Sequence, residues 1–228
     1  MKYLFLFFLT FISFASLFAS KDSEHLILNH TKQEPLVPTA LMSDETKWLL
    51  SALEKAHFKK LSIQQLDRKI FLENYINNLD KQKLFFTASD LDEFINRYEP
   101  TLLTYLRQGN LFPAFEIYEV YRRKALGRLE HTLENLQKAP NLDGNHSFLV
   151  DRSEVNWSQN TDDLNRVWSL LVTHEYINEI FSQIDENESI NETIELLTKR
   201  EEETLKKIRK KYERWHKNIL EFEATDVQ

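Results

Sequence analysis

DKQKLFFTASDLDEF, Asp80–Phe94, sets two adjacent phenylalanines between a charged run and a cluster of acids. The stretch is either a site or a joint in the fold. Thr87 has the chemistry of a helix N-cap, with Asp90 at the third helical position. In that register Phe86 precedes the cap and Leu91 is the fourth helical residue, the two halves of a hydrophobic staple. Asp90, Asp92 and Glu93 then fall in the first turns, where negative charge suits the helix dipole. Leu91, Phe94, Ile95 and Tyr98 continue one apolar face. The acids are therefore helix-start chemistry rather than a catalytic carboxylate pair, and the stretch is a joint.

Helical periodicity extends in both directions from this joint. Upstream, it begins after Ser43, with Trp48, Leu49, Ala52, Leu53 and Ala56 on one face. Ser62–Gln65, SIQQ, fits a capping box opening a helix whose stripe is Ile63, Leu66, Ile70, Ile76 and Leu79. Downstream, Pro100 kinks the chain or starts a new helix, and Gly109 follows Leu103 and Leu106 as a helix-ending residue. Asn110 caps the next helix, with Pro113 in its first turn. Its buried side is Phe115, Tyr118, Tyr121, Leu126, Leu129, Leu133 and Leu136, and Gly127 inside it would allow close packing.

Pro140 and Gly144 mark a long loop, KAPNLDGNHSF. Another helix follows Thr161, with Leu164, Val167, Trp168, Leu171, Ile177, Ile180 and Phe181. A last one opens at the SINE box, Ser189–Glu192, and carries Ile194, Leu197, Leu205, Ile208, Tyr212, Trp215 and Ile219. Glu202 and Glu203 lie four residues before Lys206 and Lys207, the spacing of stabilising pairs on an exposed helix. The expected fold is all-α, an irregular domain of six to seven helices.

Composition agrees with long helices: 228 residues hold only 3 Gly and 5 Pro. A net charge of −7 does not suggest nucleic-acid binding. With no cysteine, disulfides, thiolate nucleophiles and Cys-based zinc sites are excluded. The first 19 residues have Lys2, an apolar run and then small residues, the pattern of a secretory signal peptide. Ser13 and Ala15 suit cleavage after Ala15, and cleavage after Ala19 is the rival. An uncleaved membrane anchor is the other reading, but the run falls short of the roughly 20 residues of a span and contains Thr10, Ser13 and Ser16. Residues 20–42, with Pro35 and Pro38 and no periodicity, read as a flexible N-terminal tail, and residues 43–228 as the helical domain.

Chemistry is sparse. His174-Glu175 begins an HExxH zinc pattern, but Asn178 stands where the second histidine is needed, which leaves a surface pair. The run from Asp185 alternates oxygen ligands like a calcium loop, but Ile190 and Leu196 occupy its Gly and Glu positions. No Ser-x-x-Lys, G-x-S-x-G or phosphate-cradling glycine loop is present. Lys206–Lys211, KKIRKK, is a charged helix face. Trp157, in the loop segment DRSEVNW, either plugs the core or belongs to an interface. No catalytic, cofactor or metal residues are expected.

Five segments, in order, resemble one family, the N-terminal helical domain of periplasmic tail-specific (carboxy-terminal processing) proteases. They are LDKQKLFFTASDLDEF, LRQGNLFPAFEIYEVYRRKALGRLEH, FLVDRSEVNW, DLNRVWSLLV and IRKKYERWHKNILEFEATDV, spanning Trp48 to Val227. Lys81 replaces a usual Pro, and Lys211 a usual Arg. The resemblance implies an exported helical scaffold flanking a PDZ domain and a protease core with a Ser nucleophile and a Lys base. No residue of this chain matches that nucleophile or base, so no catalytic role carries over.

The resemblance leads to the expectation of a non-catalytic module of a periplasmic serine protease, present as a fragment, truncated product or half of a split gene. Its partner would be the protease and PDZ portion in cis or in trans, with protein substrates or an adaptor. Nucleic acid is not expected, and membrane only through the signal segment if uncleaved. A free-standing periplasmic interaction protein is the alternative, and a membrane-anchored helical protein a weaker third. The last helix is expected to leave Trp215, Ile219 and Phe222 without cover.

Overall fold

Two adjacent side chains, Phe85 and Phe86, point into different cores, and the architecture follows from that division. The computed structural model describes residues 34–56, 62–142, 144–182 and 190–227, with side chains described except at 56, 190–199 and 226. The signal-peptide segment, most of the tail, the start of the SINE box and part of the calcium-like run lie outside them. Seven helices appear: α1 (Ala40–Ala56), α2 (Arg68–Leu79), α3 (Ala88–Tyr98), α4 (Leu102–Gln108), α5 (Phe112–Asn135), α6 (Thr161–Phe181) and α7 (Ile190–Leu220). Two single 3-10 turns, Ile63–Gln65 and Ala224–Asp226, complete the set, and no strand occurs among the described residues. The all-α expectation holds.

From Leu36 onward the chain forms one compact unit. The long helix α5 is its spine. Its second half packs with α6 and α7 around Leu129, Leu133, Trp168, Tyr212 and Ile219. Its first half packs with α2, α3 and α4 around Leu72, Ile76, Phe94, Tyr98 and Ile117. A third, smaller cluster joins Met42 and Val227 to Phe115 and Tyr118 of α5, with Leu36 and Ala224 against it. The ring of Tyr121 touches all three clusters.

Several elements depart from their sequence patterns. α1 begins at Ala40, three residues earlier than its periodicity, because Met42 is buried in the third cluster and anchors the first turn. The face of Trp48, Leu49 and Leu53 is exposed, with Trp48 72% open. α1 instead meets α4, where the carbonyl of Ser43 lies so near Gly109 that a Cβ there would come within 2.2 Å. Gly109 ends α4 with φ 63°, so its conformation and the close approach both call for glycine.

Ser62 caps only the 3-10 turn, accepting from the Gln64 amide. Extended backbone at Leu66 breaks the helix, and Asp67 caps α2 by accepting from the Ile70 amide. The shift turns Ile70 outward and puts Leu72 and Ile76 in the core. Gly127 allows no close approach, since open space lies within 4 Å of where its Cβ would be. Phe181, at the end of α6, is exposed, although its neighbour Ile180 in the same turn is buried among α7 residues.

The C-terminal half of α7 is covered within the chain. Trp215 stacks on Trp168 and Tyr212 and meets the edge of Phe85, Ile219 is buried, and Phe222 stacks on Tyr118. The expected bare face around Trp215 and Ile219 is therefore corrected. It packs against α5 and α6, with Ile219 buried and Trp215 half-buried, while Phe222 stays exposed. Lys207 and Lys211 pair across to Glu179 and Glu175 of α6, at 2.8 and 2.7 Å, while Glu203 of α7 also attracts Lys207. These bonds make α7 a partner of α6 on a face that its sequence alone marks as solvated.

Candidate functional site

The residues that carry most of the polar order sit where Asp80–Asp90 meets Asp151–Ser158. After α2 the chain must turn sharply toward α3. Lys83 takes a left-handed conformation, φ 53°, and the turn aims three successive amides inward. Asp80 receives them: Oδ1 accepts from Leu84 at 2.8 Å, and Oδ2 from Phe85 and Phe86 at 2.8 and 2.9 Å. The carboxyl is only 3% exposed. Burial pushes its pKa above the ordinary value, while the three amides and the Arg152 guanidinium pull against that rise. Sequence reading passed over Asp80, which stands five residues before the Phe85–Phe86 pair and has no local motif to mark its role.

The cap beside it forms as the sequence predicts. Thr87 accepts from the Asp90 amide, and Asp90 accepts from the Thr87 amide at 2.8 Å, a complete capping box. Leu91 packs against the cluster that holds Phe86. Asp90 also takes the Lys124 ammonium of α5 at 2.6 Å. Burial works to raise the Asp90 pKa, but the hydrogen bonds from Lys124 and Thr87 outweigh it, and the carboxyl ends below the ordinary value.

The loop before α6 closes over this turn. The Lys83 ammonium donates to the Ser153 carbonyl and lies 5.6 Å above the Trp157 ring. Gln82 accepts from the Arg152 amide at 2.8 Å. Ser158 accepts from the Ala88 amide at 2.9 Å, and Thr87 and Ser158 form a single parallel bridge. The Trp168 indole donates to the Leu84 carbonyl at 2.6 Å. Trp157 packs on the Phe86 side, so it is a plug. Phe85 lies among Tyr121, Trp168 and Trp215, and Phe86 among Phe94, Tyr121 and Trp157. The site is thus a clamp that fixes two cores to one turn.

Its chemistry is structural. Lys83 meets Ser153 through the backbone carbonyl, so the contact is not a base beside a nucleophile. The Ser153 amide instead donates to Asp151 at 3.0 Å, and that bond, with the nearby Ser153 hydroxyl, holds the carboxyl below the ordinary value. His174 bonds Asn178 at 2.9 Å, and Glu175, largely covered, pairs with Lys211; the surface reading of the pair thus fails for Glu175. No group of three His, Asp or Glu is placed to hold a metal ion among the described residues. No helix among them is long and apolar enough to cross a membrane.

The segments gathered at the clamp are those of a known helical domain. The model of the tail specific protease N-terminal domain matches residues 49–227, and the chain belongs to that family. It is similar to a tail-specific protease of Haemophilus influenzae, 34% identical over 134 residues. That alignment covers 58% of this chain and 19% of the relative's length.

Proposed function

We propose that this chain serves as the non-catalytic helical scaffold of a tail-specific serine protease. It docks the PDZ and protease portion, in cis or in trans, and shapes the approach of protein substrates to it. The observation that supports this reading is the family match across residues 49–227, which takes in every segment of the clamp. The role is mechanical: a domain with one polar clamp and three joined cores presents a fixed surface to a neighbour. We place it in the periplasm, delivered by the leader in residues 1–19. The experiment is co-expression with the PDZ and protease portion of a tail-specific protease, followed by co-purification and cleavage of an unfolded protein. Binding to that portion, with no cleavage by the chain alone, is the expected result. Cleavage by the repurified chain alone would sink the non-catalytic reading, and failure to bind would sink the scaffold reading.

One observation favours a second reading, a free-standing periplasmic interaction protein. Ile219 is buried and Trp215 half-buried against α5 and α6, so much of this face of α7 is shielded without a protease core. A stable, monomeric chain with no affinity for the protease portion would fit it.

A further inference from the structure

We propose that the groove between α5 and α6, centred on Arg128, binds an acidic segment of a polypeptide. Two adjoining clefts, of about 420 and 380 Å³, share Arg128, His131 and Asn165. Lys138 stands in one and Lys124 in the other, and no Asp or Glu lines either among the described residues. In a chain with 36 acidic and 29 basic residues, a carboxylate-free groove with this lining runs against the overall composition.

Arg128 is the group least explained by the fold. Its guanidinium lies 5.9 Å above the Trp168 ring, half-buried, and makes no ion pair or hydrogen bond among the described residues. Burial lowers its pKa, and no carboxylate offsets the loss. Lys124 differs, since Asp90 already neutralises it. A carboxylate arriving at Arg128 would supply the missing partner in a site where water is partly excluded, which strengthens such a pair.

The shape indicates a polypeptide rather than a small anion. Beyond Arg128 the lining is mixed, with Ala139, Pro140 and Val172 set among Thr132, Asn135 and Ser169. An extended segment with both acidic and apolar side chains satisfies both parts, whereas phosphate satisfies only the cations. At Gly127 the floor is bare, because a Cβ there would meet nothing within 4 Å. The inference does not depend on a protease core, and its test contains none.

The test is fluorescence anisotropy of the purified chain with a labelled, C-terminally amidated peptide alternating Glu and Leu. Gln–Leu and Lys–Leu peptides serve as controls. The Glu–Leu peptide should bind in preference to both. Arg128→Gln should weaken it about tenfold. Arg123→Gln, the same charge change on an exposed part of α5 outside the groove, should leave it unchanged. Gly127→Leu keeps every charge, fills the open floor and should block binding, which keeps the test decisive if Arg128→Gln fails to fold. Equal losses in Arg123→Gln and Arg128→Gln, or full binding by Gly127→Leu, would overturn the proposal. So would displacement of the peptide by inorganic phosphate at lower concentration than by unlabelled Glu–Leu peptide, which would mark a small-anion site.

Discussion

Asp80 holds more of the turn together than any other single side chain. Its two oxygens serve three buried amides, so replacing one oxygen by an amide nitrogen must leave at least one donor facing another donor. Asp80→Asn should therefore lower stability by roughly 2–4 kcal/mol in a urea titration, close to the cost of a lost charged hydrogen bond plus an orphaned amide. Thr87→Ala removes only a cap and should cost about 1 kcal/mol. If the two variants melt alike, Asp80 is not the clamp. The cap was legible in the sequence because its signal is local, a Thr three residues before an Asp and one after a Phe. Asp80 was not, because its role depends on a left-handed Lys83, and lysine gives no local sign of that conformation.

Helices were legible where burial followed their own period, and not where a neighbour redirected it. Periodicity found α1 but assigned its apolar stripe to the core, whereas Met42 and the approach to Gly109 decide how α1 sits. The two described helix glycines now make opposite predictions. Gly127→Ala meets open space and gains helix propensity, so it should stabilise by about 0.5–1 kcal/mol. Gly109→Ala meets the Ser43 carbonyl at a positive φ and should destabilise by more than about 1 kcal/mol. Thermal melts of the pair, opposite in sign, would check both. The Lys124–Asp90 bond ties the start of α3 to α5 and gives a pH dependence. Asp90 is held below the ordinary aspartate value, so its contribution is complete above about pH 4 and fades as acid protonates it. Lys124→Met should cost roughly 1 kcal/mol at neutral pH. That difference should shrink toward zero as pH falls through the lowered pKa, and a gap that persists in acid would contradict the assignment.

Across the whole molecule, Phe85 and Phe86 couple cores built from different helices. Each truncation to Ala should cost roughly 3–5 kcal/mol. Hydrogen exchange should tell them apart: Phe85→Ala should first loosen amides of α6 and α7, and Phe86→Ala those of α2 and α3. Identical exchange maps would mean that the two cores open as one. The order of the five family-like segments was readable from sequence, but their convergence on one turn was not, since nearly 70 residues separate Lys83 from Ser153. The third cluster carries a topological consequence. Leu36 and Val227 rest against the same patch of α5, Phe115 and Tyr118, so the path through the seven helices returns to its starting point. Such a closed circuit is suited to circular permutation: a short linker could join residues 36 and 227, and new termini could be opened in the helix-free stretch after Asn135 without severing a helix.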